Sequence, residues 1–297
     1  MLDYYDSGKG GRAASADRHR QYRAHLEPEL GDLTGDAVRQ RHADQYIEAR
    51  VGTGASPKTA HNELAYLRTA LRYGWQNDLL PQPPRFSLKM PHSERTRVAY
   101  PEEAGRLLAM ADLPLRRVVA AAWTCGLRRG EILAARWEWT TTDRHELTLP
   151  ARATKGRRER VVVFPEAVWE MLQAEPRHSE HVFCHWRQGR NGRGRLEVVP
   201  WTKRTLRTAF EELVERADSD GLWLHDLRRS MATVAQDRGH APSTVQRVGG
   251  WEDPTVMARH YTHPSREAQE RVVEDLSDAL MARAGTGGIV PPPKILN

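Results

Sequence analysis

Apolar positions along the first third of the chain recur with helical spacing. Leu64, Leu67, Leu71 and Trp75 follow one another through HNELAYLRTALRYGW, which predicts a helix with one buried stripe. Ser56 and Pro57 mark its start, a capping residue followed by proline at the first helical position. Ala16–Leu26 and Asp36–Arg50 read as two earlier helices, so about the first ninety residues form a small helical unit. The stretch LLPQPPRFSLKMPHSERTR, residues 79 to 97, holds four prolines and then charge, without any regular period. It reads as an interdomain linker.

A larger unit begins near Tyr100-Pro101-Glu-Glu, where the acidic pair suits the positive end of a helix. Helices are predicted over 101–111 and 114–125. Two β-prone runs, His145–Leu149 and Arg160–Phe164, then flank a polar Lys-Gly-Arg-Arg turn and predict a hairpin. Further helices are expected over 166–174, 202–217, 225–238 and about 265–283. The tail ARAGTGGIVPPPKILN is rich in glycine and proline and reads as disordered or held by a partner. The predicted fold is mainly α with a small antiparallel sheet (α+β). It divides into a helical unit at 1–90, a linker at 91–99, a second domain at 100–283 and a tail at 284–297.

Composition narrows the function classes. At 39% apolar residues the chain can pack a core, and no stretch approaches 18 consecutive apolar residues, so no membrane association is expected. MLDYYDSGKG lacks the apolar run of a secretory signal. Two cysteines, Cys125 and Cys184, make no disulfide framework and suggest a reducing, cytoplasmic setting. The net charge of +6 favours a polyanionic partner only weakly, because 39 of the 45 basic residues are arginine, as a GC-rich genome alone would give. Distribution says more. From Arg152 to Arg207 there are 13 basic and 6 acidic residues, against 14 and 12 in the first 96, so the surplus is local, as in a footprint on nucleic acid or a solvated charged face.

Four stretches of the second unit carry candidate chemistry. They are Thr124-Cys-Gly-Leu-Arg128-Arg-Gly-Glu131, Lys155 in the hairpin, Leu224-His225-Asp-Leu-Arg228-Arg, and Gly249-Gly-Trp251 followed by Tyr261. Arg128 and Glu131, like His225 and Arg228, stand three apart and share a face if helical. Each motif alone fits ordinary structure: a salt-bridge arginine, a core histidine, a solvated turn lysine, a packing tryptophan. Together, GLRxxE, a hairpin lysine, HxxR, Gly-Trp and a tyrosine in this order resemble the tyrosine recombinases, or phage-type integrases. The likeness spans nearly the whole chain; the N-terminal unit resembles that family's core-binding domain, and the rest its catalytic domain.

The resemblance implies a role for each residue. Arg128 and Arg228, forked and permanently charged, would bind the non-bridging oxygens of a DNA phosphodiester. Tyr261 would be the nucleophile and His225 a base or phosphate donor. Lys155 would protonate the departing 5′ oxygen, Trp251 would offer its indole N–H to the phosphate, and Glu131 would orient arginine in a supporting role. No metal or other cofactor is implied. The expected partner is double-stranded DNA with recombination sites, bound by a homo-tetramer on paired sites. Accessory DNA-bending or directionality proteins join it, and the tail is a candidate for docking on a neighbouring protomer.

One departure stands out. The family's tyrosine is expected nine positions after the His/Trp, whereas Tyr261 is ten after Trp251, with His260 at nine. One extra residue turns a helical side chain by about 100°. Tyr261-Thr-His263 matches the family's Y-x-H ending and favours Tyr261. The implied activity is site-specific recombination or integration through a covalent 3′-phosphotyrosine. A non-catalytic DNA-binding relative and a DNA-relaxing enzyme of the type IB topoisomerase kind remain alternatives. A zinc reading can also be drawn from His181, Cys184 and His185, although their alternation suits a short strand.

Overall fold

The computed structural model describes residues 2, 5–6, 13–89, 97–174, 177, 179–187, 196–253, 266 and 273–274. The chain divides into two compact units, Met1–Glu94 and Arg95–Asn297. Tyr261, the helix expected over 265–283 and the tail at 284–297 lie, wholly or almost wholly, outside the described residues.

The first unit contains helices α1 (Ala13–Leu30), α2 (Gln40–Gly52) and α3 (Pro57–Gln76). Helix α3 starts where the sequence indicated: the Thr59 amide donates to Ser56 Oγ at 3.1 Å, with Pro57 next in line. Its buried stripe runs through Ala60, Leu64, Leu67, Ala70, Leu71 and Gly74, and α1 and α2 pack against this helix. Trp75, expected in that stripe, is 40% exposed. Gly74 takes the inward position of the last turn, which leaves the next residue facing solvent. Glu63 is buried in the same helix and receives Tyr46 Oη at 2.7 Å and both Arg50 Nε and Nη2 at 3.0 Å. A buried carboxylate persists when it is paired in this way.

The proline stretch is only partly a linker. Phe86 is buried in the first unit's core, Leu80 and Leu88 pack on it, and the Ser87 amide donates to Gln40 Oε1. At the other end Ala99 is fully buried in the second unit, where its amide donates to Ser230 Oγ and its carbonyl accepts Trp123 Nε1. Residues 79–89 and 97–99 therefore belong to the units they adjoin. Apolar side chains between the prolines find cores on either side.

In the second unit α4 (Pro101–Met110) and α5 (Leu113–Thr124) come first. Helix α5, capped by Asp112, is buried along most of its length through Leu115, Val118, Val119 and Ala120–Ala122. The short α6 (Arg129–Ala134) follows, then a three-stranded antiparallel sheet of β1 (Thr140–Thr141), β2 (Glu146–Leu149) and β3 (Arg160–Val163) in that order. The β2–β3 register pairs Leu147 with Val162 and Leu149 with Arg160. After α7 (Glu166–Gln173) comes a second antiparallel pair, β4 (Cys184–Arg187) and β5 (Glu197–Pro200). Helices α8 (Lys203–Arg216), α9 (Leu224–Asp237) and α10 (Pro242–Gly249) complete the described elements. The core joins α5 to the sheet and to α8 through Val118, Ile132, Leu147, Leu149, Val162, Phe164, Leu206 and Phe210. Helix α9 packs along α5 and α10, which brings residues about 100 positions apart to one place.

Candidate active site

The site forms where the loop after α5, the start of β3, helix α9 and the end of α10 meet. Helix α5 stops at Cys125, and Gly126 takes φ +63°, a left-handed turn that suits glycine. A Cβ there would meet Met231 Cε at 2.4 Å, and the positive φ would strain any other residue. The turn delivers Arg128 to the position just before α6, rather than onto the helix face shared with Glu131. The contact survives by another route. Glu131, in the first turn of α6, accepts the Arg128 amide at 2.9 Å through Oε2 and the guanidinium at 2.6 Å through Oε1. The second Arg128 amino group donates to the Gly250 carbonyl at 2.7 Å. Arg128 remains a quarter exposed, whereas its neighbour Arg129 is exposed.

Arg228 is almost wholly buried on α9, at 1% exposure. Its Nη1 donates to the Gly126 and Gly249 carbonyls, and its guanidinium carbon lies 3.9 Å over the Trp251 ring, a cation–π geometry. Arg229 turns instead towards Asp226, 3.5 Å away. Both arginine positions singled out by motif register thus converge on Gly249-Gly250-Trp251. Gly250 takes φ +67° as the residue after α10, and a Cβ on Gly249 would collide with the Trp251 ring. Both glycines serve close packing.

Lys155 lies in the β2–β3 connection, exposed at the rim of an open cavity of about 910 Å3 whose lining includes Arg128, Arg158, Arg247 and Trp251. Glu252 also faces this cavity, its carboxylate so close to Gly156 that a Cβ there would overlap it. His225 sits in the first turn of α9 and is exposed, yet its pKa is pushed down to about 4. Desolvation contributes most, followed by the charge of Arg228 and, less, of Arg229 and Arg128; Asp226 works the other way. The residue is open to solvent on one side, while three arginine charges stand close to its ring. Its imidazole is neutral at physiological pH.

One participant escaped the sequence reading. Arg160, the first residue of β3, is 8% exposed and donates to Glu131 Oε2 at 2.5 Å, to the Cys125 carbonyl at 3.0 Å and to the Val248 carbonyl at 2.7 Å. A signal existed. In the strand Arg160–Phe164, positions 160, 162 and 164 share the inward face, so the arginine had to be buried and paired. The His181–His185 stretch goes to other uses. Cys184 Sγ donates to the His181 carbonyl, and the His185 ring stacks on Trp201 at 4.2 Å. Among the described residues no group of three acidic, histidine or cysteine side chains is arranged to hold a metal. No described helix is long and apolar enough to cross a membrane.

With this geometry in place, comparison with known proteins defines the class. Residues 97–268 match the Phage integrase family, more than half the chain, and the chain belongs to that family. It is similar to the integrase of Salmonella phage P22, with 27% identity over 214 residues. These are 70% of this chain but 54% of that protein, so the chain spans about half the length of this relative. In fold it is similar to the Tn1549 transposon integrase solved with circular intermediate DNA (TM-score 0.69, 16% identity, 92% of this chain and 98% of that one). It is likewise similar to a lambda integrase dimer bound to a COC′ core site (TM-score 0.65, 16% identity, 90% and 95%). At such identities these two likenesses speak for the fold: a mostly helical chain with small antiparallel sheets.

Proposed function

We propose that the chain is a site-specific DNA recombinase that cuts and rejoins duplex DNA through a covalent 3′-phosphotyrosine at Tyr261. The observation that carries this reading is the convergence of Arg128, from the loop after α5, and Arg228, from α9, on Gly249-Gly250-Trp251, with Lys155 on the same cavity as Arg128 and Trp251.

In the proposed reaction the Tyr261 phenol loses its proton and attacks the scissile phosphorus. A phenol of pKa ~10 is ionised to about one part in 10³ at pH 7, a deficit of roughly 4 kcal/mol that the site must offset. The arginine charges that help hold His225 neutral also favour a phenoxide, and His225 gains strength as a base once the DNA phosphate offsets those charges, so it can then accept the proton. Negative charge grows on the non-bridging oxygens as the new P–O bond forms, and Arg128 and Arg228 stabilise it. The bond from phosphorus to the 5′ oxygen then breaks, and that oxygen takes a proton from Lys155. The phosphotyrosine keeps the energy of the cut linkage, so a 5′-hydroxyl from another strand can attack it and release Tyr261. Two such exchanges on paired sites, carried by four protomers, give recombinant duplexes. Basic side chains lining the cavity supply phosphate contacts, which makes binding fall steeply with salt.

The test is incubation with a nicked duplex whose short 5′ fragment diffuses away after cutting, which traps the adduct. The reading expects a protein–DNA adduct and strand exchange only between paired sites. Binding without any adduct would favour a non-catalytic DNA-binding protein. Relaxation of supercoiled plasmid without a paired site would favour a topoisomerase.

A further inference from the structure

Glu131 is shared. One oxygen holds Arg128 Nη1, and the other receives both the Arg128 amide and Arg160 Nη1. Arg160 is pinned on its far side by the Cys125 and Val248 carbonyls, and its stem runs past Gly250, where a Cβ would come within 2.6 Å of its Cδ. A single buried guanidinium thus ties β3, the strand that follows the Lys155 turn, to the carboxylate behind Arg128 and to the end of α10. Charge makes the arrangement more than packing. Glu131 facing Arg128 alone would form a neutral pair, with little left to attract a phosphate. With Arg160 behind the carboxylate, the three groups carry one net positive charge; both arginines border the cavity, and Arg128, a quarter exposed against 8% for Arg160, is the more open of the two.

We propose that Arg160 is a positioning residue for Arg128: by occupying the far oxygen of Glu131 it fixes the Arg128 guanidinium and leaves its charge available to the scissile phosphate. This rests on the recombinase reading above and goes one layer deeper into the same site. Burial lowers the Arg160 pKa, with the charge of Arg128 adding to the effect, while Glu131 opposes both. Such a cation is kept inside by acceptors from three places, the end of α5, α6 and α10.

The experiment compares single-turnover adduct formation on the nicked duplex for the unaltered chain, Arg160→Met, Arg160→Lys and the double variant Arg160→Met/Glu131→Gln. Misplacement by about 1 Å costs roughly 10²-fold, so Arg160→Met is expected to slow cleavage about 100-fold. Duplex binding should stay within threefold. Arg160→Lys, which keeps the charge, should recover about tenfold of that loss. The double variant should also cut about tenfold faster than Arg160→Met, since removing the Glu131 charge frees Arg128 again; a purely structural arginine predicts no gain from a second lesion. Cleavage by Arg160→Met within threefold of the unaltered chain, or a double variant no faster than the single, overturns the proposal. Should Arg160→Met not fold, Arg160→Lys is read against the unaltered chain, and equal rates overturn it. An unaltered chain that forms no adduct overturns the recombinase reading itself, a different result from any of these.

Discussion

Replacing Gly249 by alanine perturbs the site at a point where the geometry sets the size of the effect. The added Cβ would lie 1.8 Å from Trp251 Cζ3, 2.4 Å from Cε3 and 2.6 Å from Cη2. Ordinary carbon contacts fall at about 3.5–4.0 Å, so the ring or the backbone must give way by about 2 Å. The ring has little room, because it packs in a buried cluster with Met231, Ala232 and Val245 and under the Arg228 guanidinium. Overpacking of this kind costs about 1–3 kcal/mol. For a unit of about 200 residues that lowers Tm by roughly 2–12 °C, at about 2–4 °C per kcal/mol. Cleavage should suffer more than stability, since the displaced ring would carry Arg228 with it and a shift of about 1 Å already costs about 10²-fold. The assay is a circular dichroism melt beside single-turnover cleavage of the nicked duplex. Gly105→Ala is the control: its Cβ meets nothing within 4 Å, in the exposed middle of α4, and it should stabilise by roughly 0.5–1 kcal/mol. A Gly249→Ala chain melting within 1 °C of the unaltered one and cutting within threefold would refute this reasoning.

Other predictions concern charge and reactivity. Arg128→Ala and Arg228→Ala should each reduce cleavage by about 10²–10³ or more while retaining duplex binding by gel shift, whereas exposed Arg129→Ala should leave both cleavage and binding unchanged. Lys155→Ala should slow cutting on an ordinary duplex and be largely rescued by a 5′-bridging sulfur, a leaving group that needs no proton. For His225 the folded pKa of about 4 lies below the usual ~6.5, so between those values the unfolded chain binds the extra proton. Stability should therefore fall as pH drops from about 6.5 towards 4. Urea midpoints at pH 7.5 and 5 should diverge more for the unaltered chain than for His225→Gln, and equal losses would contradict this. Burial pushes the Cys125 thiol up to about 11 and raises Cys184 as well. A thiol-reactive dye at pH 8 should label both quickly in denaturant and neither in the native chain over the same time.

Long periodic segments were legible in the sequence, and short ones were not. Helix α3 and the β2–β3 hairpin were visible because apolar spacing and a cap or turn signal agreed there. Helix α6 has six residues, too few to show a period, and α10 carries a start signal at Pro242 but little apolar surface. Strand β1 has two residues and exists only as a partner of β2. In the site, motif order singled out Arg128 and Arg228 among 39 arginines, and in the structure burial and partners distinguish each from the arginine beside it. What the motif could not convey was support. The carbonyls of Gly126, Gly249 and Gly250 that receive the two guanidinium groups are backbone atoms, and every residue has one. Arg160 was hidden by the same arginine abundance, although strand alternation places it inward. Tyr261 lies outside the described residues, so the ten-residue spacing from Trp251 is a matter for chemistry.

Peptide mapping of the trapped protein–DNA adduct decides which side chain attacks the phosphorus. A nucleotide remnant is expected on the peptide containing Tyr261, stable to acid as a phosphotyrosine should be, with no adduct from Tyr261→Phe. A remnant on His260 or elsewhere, or an adduct that forms unchanged in Tyr261→Phe, would contradict it.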